Sequence, residues 1–203
     1  MDKTISRKFF NDRAEHWDET VRNNDPRKLR KMADRLDLKE SNFILDVGTG
    51  TGVFIPYISE KLNSSGRILS MDFAINMLLK AQVKYSNGRS LNYVCSEIET
   101  LHLDGDCFDT AVCYSTFPHF HDKPRALRNL TYLLKPQGTL FICHTASKET
   151  INAIHKNIPD FQDHLIPEND EMTRLLEDAG FSHVSIEDHE ESYLLTATNG
   201  KLI

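Results

Sequence analysis

With 203 residues, 39% of them hydrophobic and 27% charged, the chain has room for one large domain and enough apolar material for a core buried on two sides. A net charge of −6 excludes the basic face that a nucleic-acid duplex or an anionic membrane surface requires. No apolar run approaches the roughly 18 residues of a membrane span. The four cysteines, Cys95, Cys107, Cys113 and Cys143, form no C-x-x-C pair. That argues against a metal finger or disulfide framework and for reduced thiols in a cytoplasm. The N-terminus, Met1-Asp2-Lys3-Thr4, is charged and lacks an apolar signal core.

In chain order, Ser6 to Leu38 reads as helical, interrupted near Asn23-Asn24-Asp25-Pro26, with Asp25 as N-cap and Pro26 in the first turn of the next helix. The basic run Arg27, Lys28, Arg30 and Lys31 alternates with Leu29 and Met32, as on the wet face of an amphipathic helix. Phe43 to Val47 reads as a buried strand, Val53 to Leu62 as a helix, Arg67 to Met71 as a strand and Ala74 to Lys84 as a helix. Leu91 to Val94 and Phe108 to Tyr114 are strands. Asp122 caps a helix that carries Pro124 in its first turn and ends by Pro136-Gln137-Gly138, and Thr139 to His144 is a strand. Pro167-Glu168 opens a helix ending at Gly180, and Phe181 to Asp188 with Ser192 to Thr198 alternate as an antiparallel pair.

Strands alternating with helices predict an α/β fold: a doubly wound, mostly parallel seven-stranded sheet with an antiparallel C-terminal hairpin strand and helices on both faces. The expected layout is a single domain over 1–203, with a helical cap at 1–40 and a Rossmann-like core at 41–203. Within the core, 145–167 is expected to be a substrate loop or lid, and Asn152 to Pro167 is its least regular part.

The informative segment is Asp46-Val47-Gly48-Thr49-Gly50-Thr51-Gly52, where the first strand turns into the first helix. Glycine permits positive φ and close approach of a ligand to the backbone. An ordinary tight turn is the bland alternative. The dinucleotide fingerprint G-x-G-x-x-G fails at its third position, Val53, and no Gly-Lys-Ser/Thr follows for a phosphate loop. Asp46, inside an apolar strand, is costly without a partner, and a cationic ligand would supply one. Asp72 lies about 20 residues beyond the loop, the distance at which an acid meets ribose hydroxyls, although an N-cap before Phe73 accounts for it too.

Ile44 to Gly52 resembles the first motif of class I S-adenosylmethionine-dependent methyltransferases, and in particular the small-molecule branch that includes quinone-ring methyltransferases of ubiquinone and menaquinone biosynthesis. The resemblance covers nearly the whole chain, through Phe9 to Asp18, Asp72, Phe108 to Val112, and Leu127 to Gly138. It implies S-adenosyl-L-methionine as cofactor, held by Asp46, Gly48, Thr49, Gly50, Gly52, Asp72, Phe73, Glu97, Ile98 and Ser115. The branch often places Gly-Asp after the third strand. Here the sequence is Cys95-Ser96-Glu97-Ile98, which puts Glu97 at the adenine amino group, Ile98 against the ring, and Ser96 as the register alternative.

The expected activity is methyl transfer to a small-molecule acceptor by in-line displacement, in a cytoplasmic monomer or homodimer. A nicotinamide-dependent oxidoreductase and a non-catalytic S-adenosylmethionine-binding protein are the rival readings. Nucleic-acid methylation is disfavoured, because Ser115 to Phe120 has neither an Asn/Asp-Pro-Pro-aromatic nor a Pro-Cys motif. His119 and His121 follow the fourth strand, His144 ends the fifth, and His155 and His164 come shortly after. In a parallel sheet these strand ends face the ligand crevice. His119 is the first candidate for a general base and His144 the second, with solvated loop histidines as the bland alternative and no metal assigned. Phe9, Phe10 and Trp17 read as packing rather than substrate stacking.

Overall fold

The protein is described by a computed structural model over residues 3–20, 25–85 and 90–202, so the break expected at Asn23 and Asn24 lies outside the described residues. The strands are β1 (Phe43–Val47), β2 (Arg67–Asp72), β3 (Leu91–Cys95), β4 (Phe108–Tyr114), β5 (Leu134–His144), β6 (Phe181–His189) and β7 (Ser192–Asn199). Among the described residues these seven form one sheet in the order β3-β2-β1-β4-β5-β7-β6. β1 lies parallel to β2 and β4, with Leu45 opposite both Leu69 and Ala111. β7 runs antiparallel to both β5 and β6, as the closing hairpin predicts. The chain reverses its winding between β1 and β4, so a crevice opens beyond their C-terminal ends.

The helices are α1 (Lys3–Arg13), α2 (Trp17–Thr20), α3 (Pro26–Arg35), α4 (Ile55–Ser59), α5 (Ile75–Tyr85), α6 (Lys123–Leu133), α7 (Lys148–Lys156) and α8 (Asn169–Asp178). Successive residues of β1 point to opposite faces. Leu45 and Val47 join Leu127 and Leu130 of α6 and Met172 and Leu176 of α8 on one side. Ile44 joins Leu29 and Met32 of α3 and Ile58 of α4 on the other. The caps act as expected: Asp25 accepts from Arg27 N–H at 2.9 Å and Asp122 from Arg125 N–H at 2.9 Å.

Three expected elements differ. The helix expected over Val53 to Leu62 contracts to α4, because Gly52 takes φ +82° and the flanking bonds, Ile55 N to Gly52 O and Lys61 N to Ile58 O, span three residues, as in turns. The irregular stretch from Asn152 begins instead inside α7. Ser147 caps that helix on Thr150 N–H at 3.2 Å, and Ile151 and Ile154 recur at helical spacing. β5 starts at Leu134 rather than Thr139, with a bulge against β4 between Phe108 and Thr110.

One tie was not legible as a local pattern. The Asn199 amide, fully buried at the end of β7, donates to the carbonyls of Thr131 (3.0 Å), Leu134 (2.8 Å) and Lys135 (3.1 Å). It thereby binds the last strand to the junction of α6 and β5. Asn199→Ala leaves those carbonyls without this donor, which costs about 2 kcal/mol. Thermal unfolding should show a melting point roughly 4–8 °C lower; a change under a degree contradicts this role.

Candidate functional site

Three strand ends build the site. β1 runs into the glycine loop, β2 into Asp72-Phe73, and β4 into Ser115-Thr116 and a 3-10 turn at Phe117–His119. Gly48 and Gly50 both take positive φ, +68° and +56°, for different reasons. A Cβ on Gly48 would lie 2.0 Å from the Thr116 hydroxyl, so this glycine lets β1 and β4 close on each other. A Cβ on Gly50 would meet no protein atom within 4 Å; it would project into open space above the loop. Gly52 is filled differently again, by Tyr85 and Ile55, and it lines none of the three cavities described next.

Asp72 sits beneath that open space. One carboxylate oxygen accepts from Gly50 N–H at 2.8 Å and the other from Ala74 N–H at 2.8 Å. It caps its own turn and also holds the neighbouring loop. Burial raises its pKa to about 6 against these backbone bonds. Asp46 is 2% exposed, accepts from the Ser70 hydroxyl at 3.0 Å, and is raised to about 6 by burial. It lies under the loop and lines none of the three cavities, so the structure does not bring it to a cationic ligand.

Three neighbouring cavities that share lining residues occupy the crevice. One, of about 30 Å³, is lined by Gly48, Asp72, Phe73, Ser96, Glu97 and Ile98 among others. The second, of about 110 Å³, covers Thr49 and Gly50 and reaches Ser115, Phe10 and Trp17. The third, of about 500 Å³, is an apolar chamber walled by Phe9, Phe10, Trp17, Ile151, Ile154, Ile158 and Phe161. His119 lines all three. The structure therefore gathers Gly48, Thr49, Gly50, Asp72, Phe73, Glu97, Ile98, Ser115 and His119 around one crevice, and puts His144 in the chamber wall.

The Glu97 carboxylate is already engaged by α1, pairing with Lys3 at 2.6 Å and Arg7 at 2.5 Å. Further along the cap, Asp18 accepts from the Thr51 hydroxyl and pairs with Lys84, and Glu15 pairs with Lys80 at 2.5 Å. These partners lie 33 to 94 residues apart in the chain, and nothing in the local sequence pattern identifies them. Phe10 and Trp17 both pack with the cap cluster and line the second cavity and the chamber, so packing and exposure to the crevice coexist.

Two side chains of the chamber wall hold buried polar atoms without a hydrogen-bond partner: Ser115 Oγ and His144 Nε2. Ser115 also takes φ +52°, an uncommon conformation for a residue with a Cβ, and its N–H donates to Cys143 O at 2.9 Å. His119 Nδ1 lies 2.9 Å from His164 Nδ1. Burial holds His119 well below the usual imidazole range and takes His144 to about 3 and His164 to about 4. These rings are neutral at pH 7. Among the described residues no group of three or more His, Cys, Asp or Glu is placed to hold a metal ion.

A methyltransferase-domain profile matches residues 45–142, from β1 into β5. Phosphoethanolamine N-methyltransferase 1 of Triticum aestivum is 31% identical over 173 residues, which is 81% of this chain and 33% of that protein. Ubiquinone biosynthesis O-methyltransferase of Coxiella burnetii is 31% identical over 118 residues, 57% of this chain and 48% of that protein. The chain thus matches a third to a half of the length of these relatives. An S-adenosylmethionine-dependent methyltransferase from Aquifex aeolicus has the same fold, with a TM-score of 0.72 at 24% identity over 93% of this chain and 98% of that one.

The two glycines separate fold from site. Gly48→Ala adds a clash with buried Thr116 to the strain of positive φ, about 2–5 kcal/mol together, whereas Gly50→Ala carries the strain alone, about 1–2 kcal/mol. Chemical denaturation of both variants checks the order; equal losses contradict it.

Proposed function

We propose that this chain is an S-adenosylmethionine-dependent methyltransferase that moves a methyl group from S-adenosylmethionine onto a small-molecule acceptor. The observation that carries the proposal is the Asp72 carboxylate holding Gly50 N–H at a loop where even an added Cβ would meet nothing within 4 Å. A carboxylate oxygen retains lone-pair capacity after accepting one backbone bond, so Asp72 can also accept from ribose hydroxyls. Phe73 and Ile98 offer apolar walls to an adenine ring in the smallest cavity, with Glu97 or Ser96 at its edge. Thr49 and Gly50 face the remainder of the donor, and Asp46 supports the loop from below.

When bound, S-adenosylmethionine supplies a methyl carbon on a positively charged sulfur, and an in-line attack on it leaves a neutral thioether that needs no acid. The protein's contribution is alignment and exclusion of water. The chamber takes the acceptor. His119 stands where chamber and donor cavities meet, and as a neutral imidazole it can take a proton from an acceptor hydroxyl or amine. His144 lines the chamber, but its Nε2 is buried from solvent and is reached by an acceptor only if the wall shifts. The cap (1–40) and the segment 145–167 close over the ligands. The ion pairs of the cap are partly exposed and weak, each worth about 0–1 kcal/mol. Four free cysteines fit a reducing cytoplasm, and among the described residues no helix is long and apolar enough to cross a membrane.

Calorimetry with S-adenosylhomocysteine tests the donor site. Asp72→Ala should lose about 2–4 kcal/mol of binding, a weakening on the order of 30- to 1,000-fold, while remaining folded. Unchanged affinity removes Asp72 from the site.

The same titration carries a pH signature. The Asp72 pKa is raised to about 6, so the charged acceptor of ribose hydrogen bonds persists above that value and is lost as pH falls through it. Affinity should be flat from pH 7 to 8 and decline below about 6. A profile flat down to pH 5 contradicts a ligand contact through the ionised form.

A further inference from the structure

His164 lies between α7 and α8, in the segment that also carries Phe161 into the chamber wall, and is 6% exposed. It makes two hydrogen bonds with other histidines. Its carbonyl lies 2.5 Å from Nδ1 of His155. A carbonyl oxygen has no proton to give, so His155 carries its proton on Nδ1 and its lone pair on Nε2. Its own Nδ1 lies 2.9 Å from Nδ1 of His119. That contact requires one donor and one acceptor, which leaves two arrangements for two neutral rings.

If His164 donates, His119 must keep its proton on Nε2 and has no lone pair left for an acceptor's proton. If His119 donates, its Nε2 lone pair is free. The two arrangements differ again once His119 has gained a second proton. An imidazolium donates from both nitrogens, so its neighbour must then accept through Nδ1. Only the arrangement with an accepting His164 serves His119 both before and after it takes a proton. Double protonation of the pair would set two positive charges side by side, and the surroundings oppose it. His144 at the end of β5, His155 on α7, His121 beyond the 3-10 turn and Lys123 on α6 all face the pair, and none of them supplies negative charge.

We propose that His164 is a positioning residue whose Nδ1 accepts the His119 Nδ1 proton and so holds His119 in the tautomer with a free Nε2. The proposal rests on the methyl-transfer reading above and assigns the group that makes its base usable. The acceptor gives its proton to His119 Nε2 and gains the methyl group, and the positive charge that leaves sulfur appears on the His119 ring, hydrogen-bonded to His164 rather than bare in the interior. Because His164 and Phe161 share one segment, the residue that walls the chamber and the residue that orients the base are ordered together.

The test reads tautomers directly and needs no acceptor. In the full chain labelled with 15N-histidine, two-bond proton–nitrogen spectra at pH 7.5 should show His119 protonated at Nδ1 and His164 at Nε2, with resonances assigned from His119→Ala and His164→Leu. In His164→Leu the His119 Nδ1–H form should fall to a minority. His164→Asn, whose side-chain oxygen can accept in place of Nδ1, should restore it. His119 protonated at Nε2 in the unsubstituted protein overturns the proposal even if the leucine variant does not fold, and so does an unchanged His119 tautomer in a folded His164→Leu. S-adenosylhomocysteine titrated into the same samples separates the two levels. Binding within about twofold of the unsubstituted protein in His164→Leu is expected, since His164 lines neither donor cavity. Absence of binding in every sample, with the tautomers as expected, defeats the methyl-transfer reading and leaves the histidine pair standing.

Discussion

The carboxylate of Asp72, at the end of β2, accepts one backbone N–H from its own turn and one from the glycine loop beyond β1. This buried group therefore sets the distance between two strand ends and the shape of the loop over them. The backbone bond from Thr49 N–H to Met71 O at 2.9 Å reinforces the same junction. Desolvation opposes a charge at this depth, which is why its pKa rises, and the two backbone donors are what make the ionised form tolerable. The position of Gly50 and the open space above it follow from that junction.

The cap and the chamber are built on weaker foundations than the sheet. Phe10, Ala14, Ala74, Met77 and Phe161 form a small apolar cluster that joins α1, α5 and the segment after α7. Around it the contacts are polar and partly exposed: Asn11 with Asn76, Glu15 with Lys80, Asp18 with Lys84. A few buried rings and several weak ion pairs hold this segment, while the two apolar layers of the sheet lie elsewhere. The same segment supplies Phe10 and Trp17 to the walls of both the second cavity and the chamber.

Much of this was legible in the sequence because it rests on local rules. The run Phe43 to Gly52 is a strand entering a loop in any context that buries it, and Asp25 and Asp122 precede prolines in the first turns of their helices. Asp72, singled out by its spacing from the loop, lines the crevice. What stayed illegible depends on contacts between distant segments. Asp46 points to a cationic partner when read alone, yet Ser70 on the adjacent strand is what it meets. Glu97 matches an adenine contact by position, yet Lys3 and Arg7 already hold its carboxylate. Thr116 has no motif at all, and only the registration of β4 beside β1 shows why residue 48 must lack a side chain. The histidines were placed at the right edge by strand order, but their pairing, and hence which nitrogen can act, required coordinates.

The proposed crevice selects a sulfur-bearing adenosyl donor over a dinucleotide, which Val53 at the third-glycine position favours. Isothermal titration of the purified protein with S-adenosylhomocysteine and, separately, with NADH measures that choice directly. One equivalent of S-adenosylhomocysteine should bind with a dissociation constant in the micromolar range, about −8 kcal/mol, and NADH should give no saturable heat. Saturable binding of NADH with none of S-adenosylhomocysteine would contradict the account.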